Sequence, residues 1–210
     1  MKHFPDKYFE LSIVDPPYGI NVANMNMGAG KGKRCPNIAY RGRKNKDWDS
    51  GTPDDAYFQE LFRVSKQQII WGGNYFNLPP CKCFLVWDKA EGMYGRSFSE
   101  CEMAWTSLNA TTRIFKYSPV DKNRIHPTQK PIALYTWILQ NYANQGDKIL
   151  DTHVGSASSL IACHRMGFRY VGFETDEDYY RQASERLERE RAQISIFAQE
   201  TVNISQETFF

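Results

Sequence analysis

The chain has 210 residues, with 26 Lys and Arg against 24 Asp and Glu for a net charge of +2. That is enough to build one α/β domain over residues 1–210 with a sizeable core, and too little for a second full domain. So small a net charge excludes attraction of nucleic acid by the whole-molecule field, so any such attraction has to come from local clusters. No apolar run approaches the ~20 residues of a membrane helix and the Met1 end carries no apolar signal segment, which predicts a cytoplasmic protein with no membrane partner. The five cysteines, Cys35, Cys81, Cys83, Cys101 and Cys163, and the scattered His3, His126, His153 and His164 match no zinc pattern. Reduced thiols and no metal are therefore expected.

In chain order, the first strand is the apolar run Leu11–Val14, which stops on Asp15-Pro16-Pro17-Tyr18-Gly19. Each proline fixes φ and removes an amide donor, so carbonyls around Pro16 stay free to accept. With the Asp15 carboxylate they make acceptors suited to an exocyclic amine, beside the flat ring of Tyr18. An X-Pro-Pro turn with a satisfied Asp is the plainer reading of those residues alone. The stretch Asn21–Asp49, rich in Gly, Asn, Lys and Arg, is long for a loop in a compact domain and reads as functional or disordered. Its Gly28-Ala29-Gly30-Lys31-Gly32 only superficially suggests a phosphate loop, because Gly32 stands where Ser or Thr should follow the Lys and no strand leads into it.

Thr52-Pro53-Asp54-Asp55 then supplies an N-cap, a first-turn proline and acidic residues, opening a helix through about Lys66. Strands follow at Gln68–Trp71, Cys83–Trp87 and Cys101–Trp105, with Lys89–Ser99 as a loop between the last two. Pro131 begins a helix toward Asn144 that Gly146 closes. Lys148–Asp151 is a short strand, Gly155-Ser156-Ala157-Ser158 a small-residue turn, and a helix runs from there to about Met166. Arg169–Phe173 is a further strand, ended by Glu174, and Asp176 to about Gln193 is a charged, amphipathic surface helix. Ile194–Phe210 carries no readable signal. The alternation of short β-branched runs and helices predicts a mostly parallel sheet.

Two successive strands thus end in acids, Asp151 and Glu174, around a glycine turn and a helix. Open α/β sheets bind ligands beyond the carboxyl ends of such strands, where Gly155 and Ser156 permit close backbone approach and Glu174 can accept both hydroxyls of a ribose. The G-x-G-x-x-G fingerprint is missing, so a compact nucleoside is expected rather than a pyrophosphate.

Asp15-Pro16-Pro17-Tyr18, then His126-Pro127-Thr128-Gln129-Lys130-Pro131, then Asp151-x-x-x-Gly155-Ser156-Ala157-Ser158 and Glu174, in that order, resemble the amino-methyltransferases of DNA in the permuted arrangement called the beta class. The resemblance covers nearly the whole chain. It implies a Rossmann-like S-adenosylmethionine-dependent methyltransferase fold, a mostly parallel twisted sheet with helices on both faces. It implies S-adenosylmethionine as donor, held by Glu174 at the ribose, by Asp151, His153, Gly155, Ser156, Ala157 and Ser158 along its sugar and amino-acid portions, and by Thr128 and Lys130 near its carboxylate. Asp15, Pro16, Pro17 and Tyr18 then surround the acceptor base.

Several positions depart from the family pattern. Thr152, His153 and Ala157 stand where Pro, Phe and a second Gly are usual. The acidic segment that normally precedes the first strand and meets the donor's adenine is answered here only by Met1-Lys2-His3-Phe4-Pro5-Asp6. For want of a recognition domain, the basic loop 21–50, with Lys33, Arg34, Arg41, Arg43 and Lys44, is the expected contact to double-stranded DNA. The bland reading of that run is a solvated loop. Asp at the first motif position points to adenine N6, with cytosine N4 and a DNA-binding relic as alternatives. Homodimers and a cognate restriction nuclease accompany such enzymes, in bacterial or phage settings. A nucleophilic role for Cys81 after Pro80 would imply methylation of a cytosine carbon, but Asp-Pro-Pro-Tyr already occupies the catalytic loop.

Overall fold

The computed structural model describes residues 1–22, 47–96 and 99–206, with 194–206 described by backbone alone. Seven strands form one sheet in the order β5-β3-β4-β2-β1-β6-β7. They are β1 (Phe9–Val14), β2 (Ser65–Trp71), β3 (Phe84–Asp88), β4 (Cys101–Thr106), β5 (Arg113–Lys116), β6 (Lys148–Asp151) and β7 (Arg169–Gly172). The helices are α1 (Asp55–Val64), α2 (Ile132–Tyr142), α3 (Ser158–Arg165) and α4 (Glu177–Gln206). Pairing is parallel for β1 with β2, β1 with β6, β6 with β7 and β3 with β5, and antiparallel only where β4 meets β2 and β3. Helix α4 is the longest, and no described helix is long and apolar enough to cross a membrane.

The expected mostly parallel Rossmann-like sheet is therefore present. Strand β1 lies between β2, next in the chain, and β6, which follows much later, so the chain leaves β1 in two directions along the sheet. Such a reversal opens a crevice at the carboxyl ends of the two strands, because their connections depart to opposite sides. Asp15 immediately follows one of those ends and Asp151 closes the other.

Alternation along the central strands feeds two apolar layers. Leu11, Ile13, Ile69, Trp71 and Ile149 pack with Leu134, Ile138 and Leu139 of α2 and Ala162 and Cys163 of α3. Val14, Ile70 and Leu150 turn the other way, onto Phe58, Leu61 and Val64 of α1. Helices on both faces follow directly.

Several boundaries correct the sequence reading. Helix α1 starts at Asp55 because Asp54, not Thr52, is the cap, its side chain accepting from the Tyr57 amide at 2.9 Å. The helix ends at Val64, and Ser65 and Lys66 already belong to β2, whose ladder on β1 begins at Ser65. Helix α2 is capped by Ala143 rather than by Gly146, which lies in the following turn. Strand β5, which the sequence reading leaves unassigned, exists because Arg113–Lys116 completes a parallel ladder on β3. Helix α4 runs on to Gln206, past the point where its charge pattern fades.

Ala157 caps α3 with φ of 63°, in the left-handed region, and is buried. A Cβ there is strained by contact with the backbone, which accounts for the family's preference for glycine at this position. Ala157→Gly is expected to stabilise the protein by about 0.5–1 kcal/mol, read as a higher urea midpoint at unchanged slope.

Candidate active site

The crevice at the β1/β6 switch is a cavity of about 180 Å³, lined by Asp15 and Pro17, by Thr128 and Lys130, and by His153, Gly155, Ser156, Ser158 and Glu174. Trp48, His126, Tyr135 and Tyr179 close its remaining walls. Most residues that the sequence singles out in three separate motifs thus meet around one space. Pro16 and Tyr18 lie beside it in the same turn as Asp15, while Asp151 and Ala157 shape the turn from behind.

At the Asp15 end the polar contacts are dense. Tyr18 donates its hydroxyl to Asp15 Oδ1 at 2.6 Å, and Lys130 Nζ donates to Asp15 Oδ2 at 2.5 Å. The same ammonium lies 3.0 Å from Glu102 Oε2, and Glu102 Oε1 lies 2.8 Å from Lys89 Nζ. Burial pushes the Asp15 carboxyl above its usual range, an effect that Lys130 opposes and Glu102 reinforces. Burial alone would lower Lys130, but Asp15 and Glu102 outweigh it and hold the ammonium above its ordinary value. Lys130, expected near the donor's carboxylate, lines the cavity and is paired with Asp15 and Glu102, its side chain 1% exposed.

The Tyr18 ring stacks on Tyr75 at 4.8 Å between centroids and 9° between planes, so one face is already covered. Gly72, at φ of 69° after β2, backs the ring so closely that an added Cβ would lie 2.1 Å from a ring carbon. Only glycine fits there, since both the conformation and the space exclude a side chain. Gly72 and Tyr75 are site-shaping residues that the sequence reading passes over; the Gly-Gly pair at 72–73 after a strand is the signal that could have found them.

At the other end, Glu174 follows β7 and receives two backbone amides, from Gly155 at 2.8 Å and from Asp176 at 2.9 Å, one on each oxygen. Each oxygen retains a lone pair for a further donor. Asp151 accepts from the His153 amide at 2.9 Å and from the Ser159 hydroxyl, yet burial lifts its carboxyl to about 7. Burial also lowers His153 to about 4, so its imidazole is neutral near pH 7. The departures Thr152 and His153 are met by α1: the Tyr57 hydroxyl bonds Thr152 Oγ1 at 2.7 Å, and Thr152 Oγ1 bonds His153 Nδ1 at 3.0 Å. Thr128 holds His126 Nδ1 through its hydroxyl at 3.1 Å. Arg186 of α4 ties down the turn by donating to the Ser156 carbonyl at 2.6 Å.

Asp49, not singled out by sequence, is 1% exposed and clamps the exit of the Asp15 turn. Its two oxygens accept from the Gly19 amide at 2.9 Å and the Val22 amide at 2.7 Å. The expected DNA contacts Lys33, Arg34, Arg41, Arg43 and Lys44, together with the Gly28–Gly32 run, lie outside the described residues. Cys81 lines a separate groove with Gln68, Pro79 and Trp105, away from Asp15. Among the described residues no group of His, Cys, Asp and Glu side chains could hold a metal ion.

Known proteins resemble the chain in sequence and in fold. The DNA methylase family N6_N4_Mtase matches residues 70–185. YubD of Escherichia coli (strain K12), a putative methylase, is 36% identical over 208 residues, spanning 89% of this chain and 85% of that protein. The chain belongs to the N6/N4 DNA methylase family. The Type II methyltransferase M2.DpnII of Streptococcus pneumoniae is 40% identical over 146 residues, 70% of this chain but 51% of that protein, so the chain matches about half of this relative's length. Among solved structures, the M1.HpyAVI–SAM complex matches with a TM-score of 0.54 at 18% identity over 86% of this chain and 90% of that one. The PvuII cytosine-N4-specific DNA methyltransferase matches with a TM-score of 0.53 at 12% identity over 92% and 88%. Both likenesses establish the fold.

Asp49→Ala removes two buried hydrogen bonds to a carboxylate and is expected to cost about 2–4 kcal/mol, measured as a lowered urea midpoint.

Proposed function

We propose that the chain is an S-adenosylmethionine-dependent DNA methyltransferase that modifies the exocyclic N6 amine of adenine. The observation that carries this reading is that Asp15 lines the same cavity as Gly155, Ser156 and Glu174. An acceptor amine at Asp15 and a nucleoside-type donor at Glu174 would then share one space.

The residues present fit the donor. Glu174 is anchored by two amides and keeps acceptor capacity on both oxygens, as a ribose diol requires. Gly155, with φ of 53°, lines the cavity with backbone alone, and a Cβ there would touch the His126 ring. Ser156, Ser158 and Thr128 supply polar contacts for the donor's amino-acid portion. S-adenosylmethionine, when bound, supplies an electrophilic methyl group on a sulfonium centre.

The chain's own part is positioning and charge. An exocyclic amine conjugated to a ring is a poor nucleophile, and hydrogen bonds to its two protons turn the lone pair out of conjugation. Asp15 and the Pro16 carbonyl can accept those protons. The Asp15 carboxylate is also the base nearest the proton released once the nitrogen is methylated. Fixed acceptors aimed at developing positive charge stabilise it without reorganisation. The target base has to leave the duplex to reach such a pocket, at a cost in unstacking energy. Asp at the first motif position, as in the adenine enzymes this chain resembles, favours adenine over cytosine N4.

Labelled methyl transfer from S-adenosylmethionine to unmethylated duplex DNA tests the reading. Label on adenine N6, reduced at least about 10²-fold in Asp15→Ala, is the expected result; label on cytosine moves the assignment to N4, and folded protein that binds DNA without transfer makes it a relic. Neutralising Arg41, Arg43 and Lys44 together is expected to weaken DNA binding and to flatten its salt dependence, by about one unit of slope for each phosphate no longer neutralised. Unchanged binding across a salt series would remove the loop from the DNA interface.

A further inference from the structure

We propose that Glu102 is a positioning residue for Asp15, acting through Lys130, so that one ammonium shared between two carboxylates sets the charge presented to the acceptor amine. The proposal rests on the methyltransferase reading above and assigns a role to a residue outside every motif in the sequence.

The geometry is a line of alternating charge that ends at the cavity: Lys89, Glu102, Lys130, Asp15. Lys130 is the most enclosed member, and it also lies over the Trp71 ring at 5.3 Å. Glu102 stands on β4, opposite Trp87 of β3, far in sequence from both Lys130 and Asp15. A buried lysine paired with Asp15 alone would draw the carboxylate's charge onto itself and leave a neutral pair facing the amine. With Glu102 on its other side, Lys130 is divided between two anions, and the group nearest the cavity keeps a net negative charge. That charge favours the positive charge that builds on the amine nitrogen, while Lys130 still fixes Asp15 Oδ2 in place. Lys89 closes the line on the outside and keeps Glu102 ionised; burial would lift that carboxyl, but Lys130 and Lys89 hold it at about 2.

Asp15 is faced by Lys130 from the segment before α2, by Tyr18 of its own turn and by Glu102 of β4. It is also within electrostatic reach of Asp151 of β6, Tyr57 of α1 and Tyr135 of α2. Both tyrosines are held above their ordinary range by burial and stay neutral. Against that background, removing the negative charge of Glu102 lowers the pH at which Asp15 takes up a proton, and removing the positive charge of Lys130 raises it. A residue that only packs would move neither.

The test reads Asp15 directly. Carboxyl carbon NMR of the full chain without donor, with the Asp15 signal assigned by its loss in Asp15→Asn, gives the titration midpoint in wild type, Glu102→Gln and Lys130→Met. The expected result is a fall of about one pH unit in Glu102→Gln and a rise in Lys130→Met. The acidic limb of kcat/KM for methyl transfer should move in the same two directions, with kcat lowered about tenfold in Glu102→Gln and KM for DNA little changed. If Glu102→Gln fails to fold, Lys89→Met takes its place, with an upward midpoint expected. A midpoint that stays put in a folded Glu102→Gln, or in a folded Lys89→Met used in its stead, overturns the proposal. Midpoints that move as stated in a chain that transfers no methyl uphold the charge line and overturn only the methyltransferase reading.

Discussion

The buried ammonium of Lys130 joins three distant parts of the chain: the turn after β1 through Asp15, strand β4 through Glu102, and the segment leading into α2. Removing such a charge from water carries a penalty of several kcal/mol per ion unless partners replace the solvent. Here two carboxylates and the face of Trp71 do so. The arrangement is costly to break, since loss of any one member leaves an uncompensated charge in the interior.

Sheet topology brings those parts within reach of one another. Because β1 runs parallel to both β2 and β6, the carboxyl ends of three strands open toward the same side of the molecule. Strand β4 runs the opposite way, so its beginning, where Glu102 stands, comes to that same side. A fully parallel sheet would have put the equivalent position of β4 at the far end. The single antiparallel strand is thus what delivers Glu102 to Lys130, and the crevice that holds the cavity follows from the reversal at β1.

Much of this was legible in the sequence. The strands ending at Asp15, Asp151 and Glu174 could be read because each is a short apolar run that stops on an acid, and the acids come together because parallel strands share an end. The fold class followed from that alternation. Strand β5 was not legible, since Arg-Ile-Phe-Lys exposes most of its side chains at a sheet edge and acquires its identity only from the ladder on β3. The same holds for Glu102 and Asp49, single acids in segments without a motif, whose roles depend on which amide or ammonium the folded chain brings to them. The pairing of Lys130 with Asp15 and Glu102 was not legible for a related reason: only the fold puts those two carboxylates within its reach.

Asp49 shows how the Asp15 turn is coupled to the segment that follows it. Its carboxylate receives the amides of Gly19 and Val22, and its own carbonyl accepts from the Asn21 amide at 3.0 Å. Residues on either side of positions 23–46 are therefore pinned together at one point, immediately after the turn that carries Asp15. Closing so long a stretch of chain has an entropic cost that grows only slowly with its length, so three hydrogen bonds at the base can hold it shut whatever its size. On the proposed reading, DNA held along the basic positions is anchored directly after a turn whose carboxylate is already bonded by Tyr18 and Lys130, the condition under which binding energy gained far from the reacting atoms can be spent on their alignment.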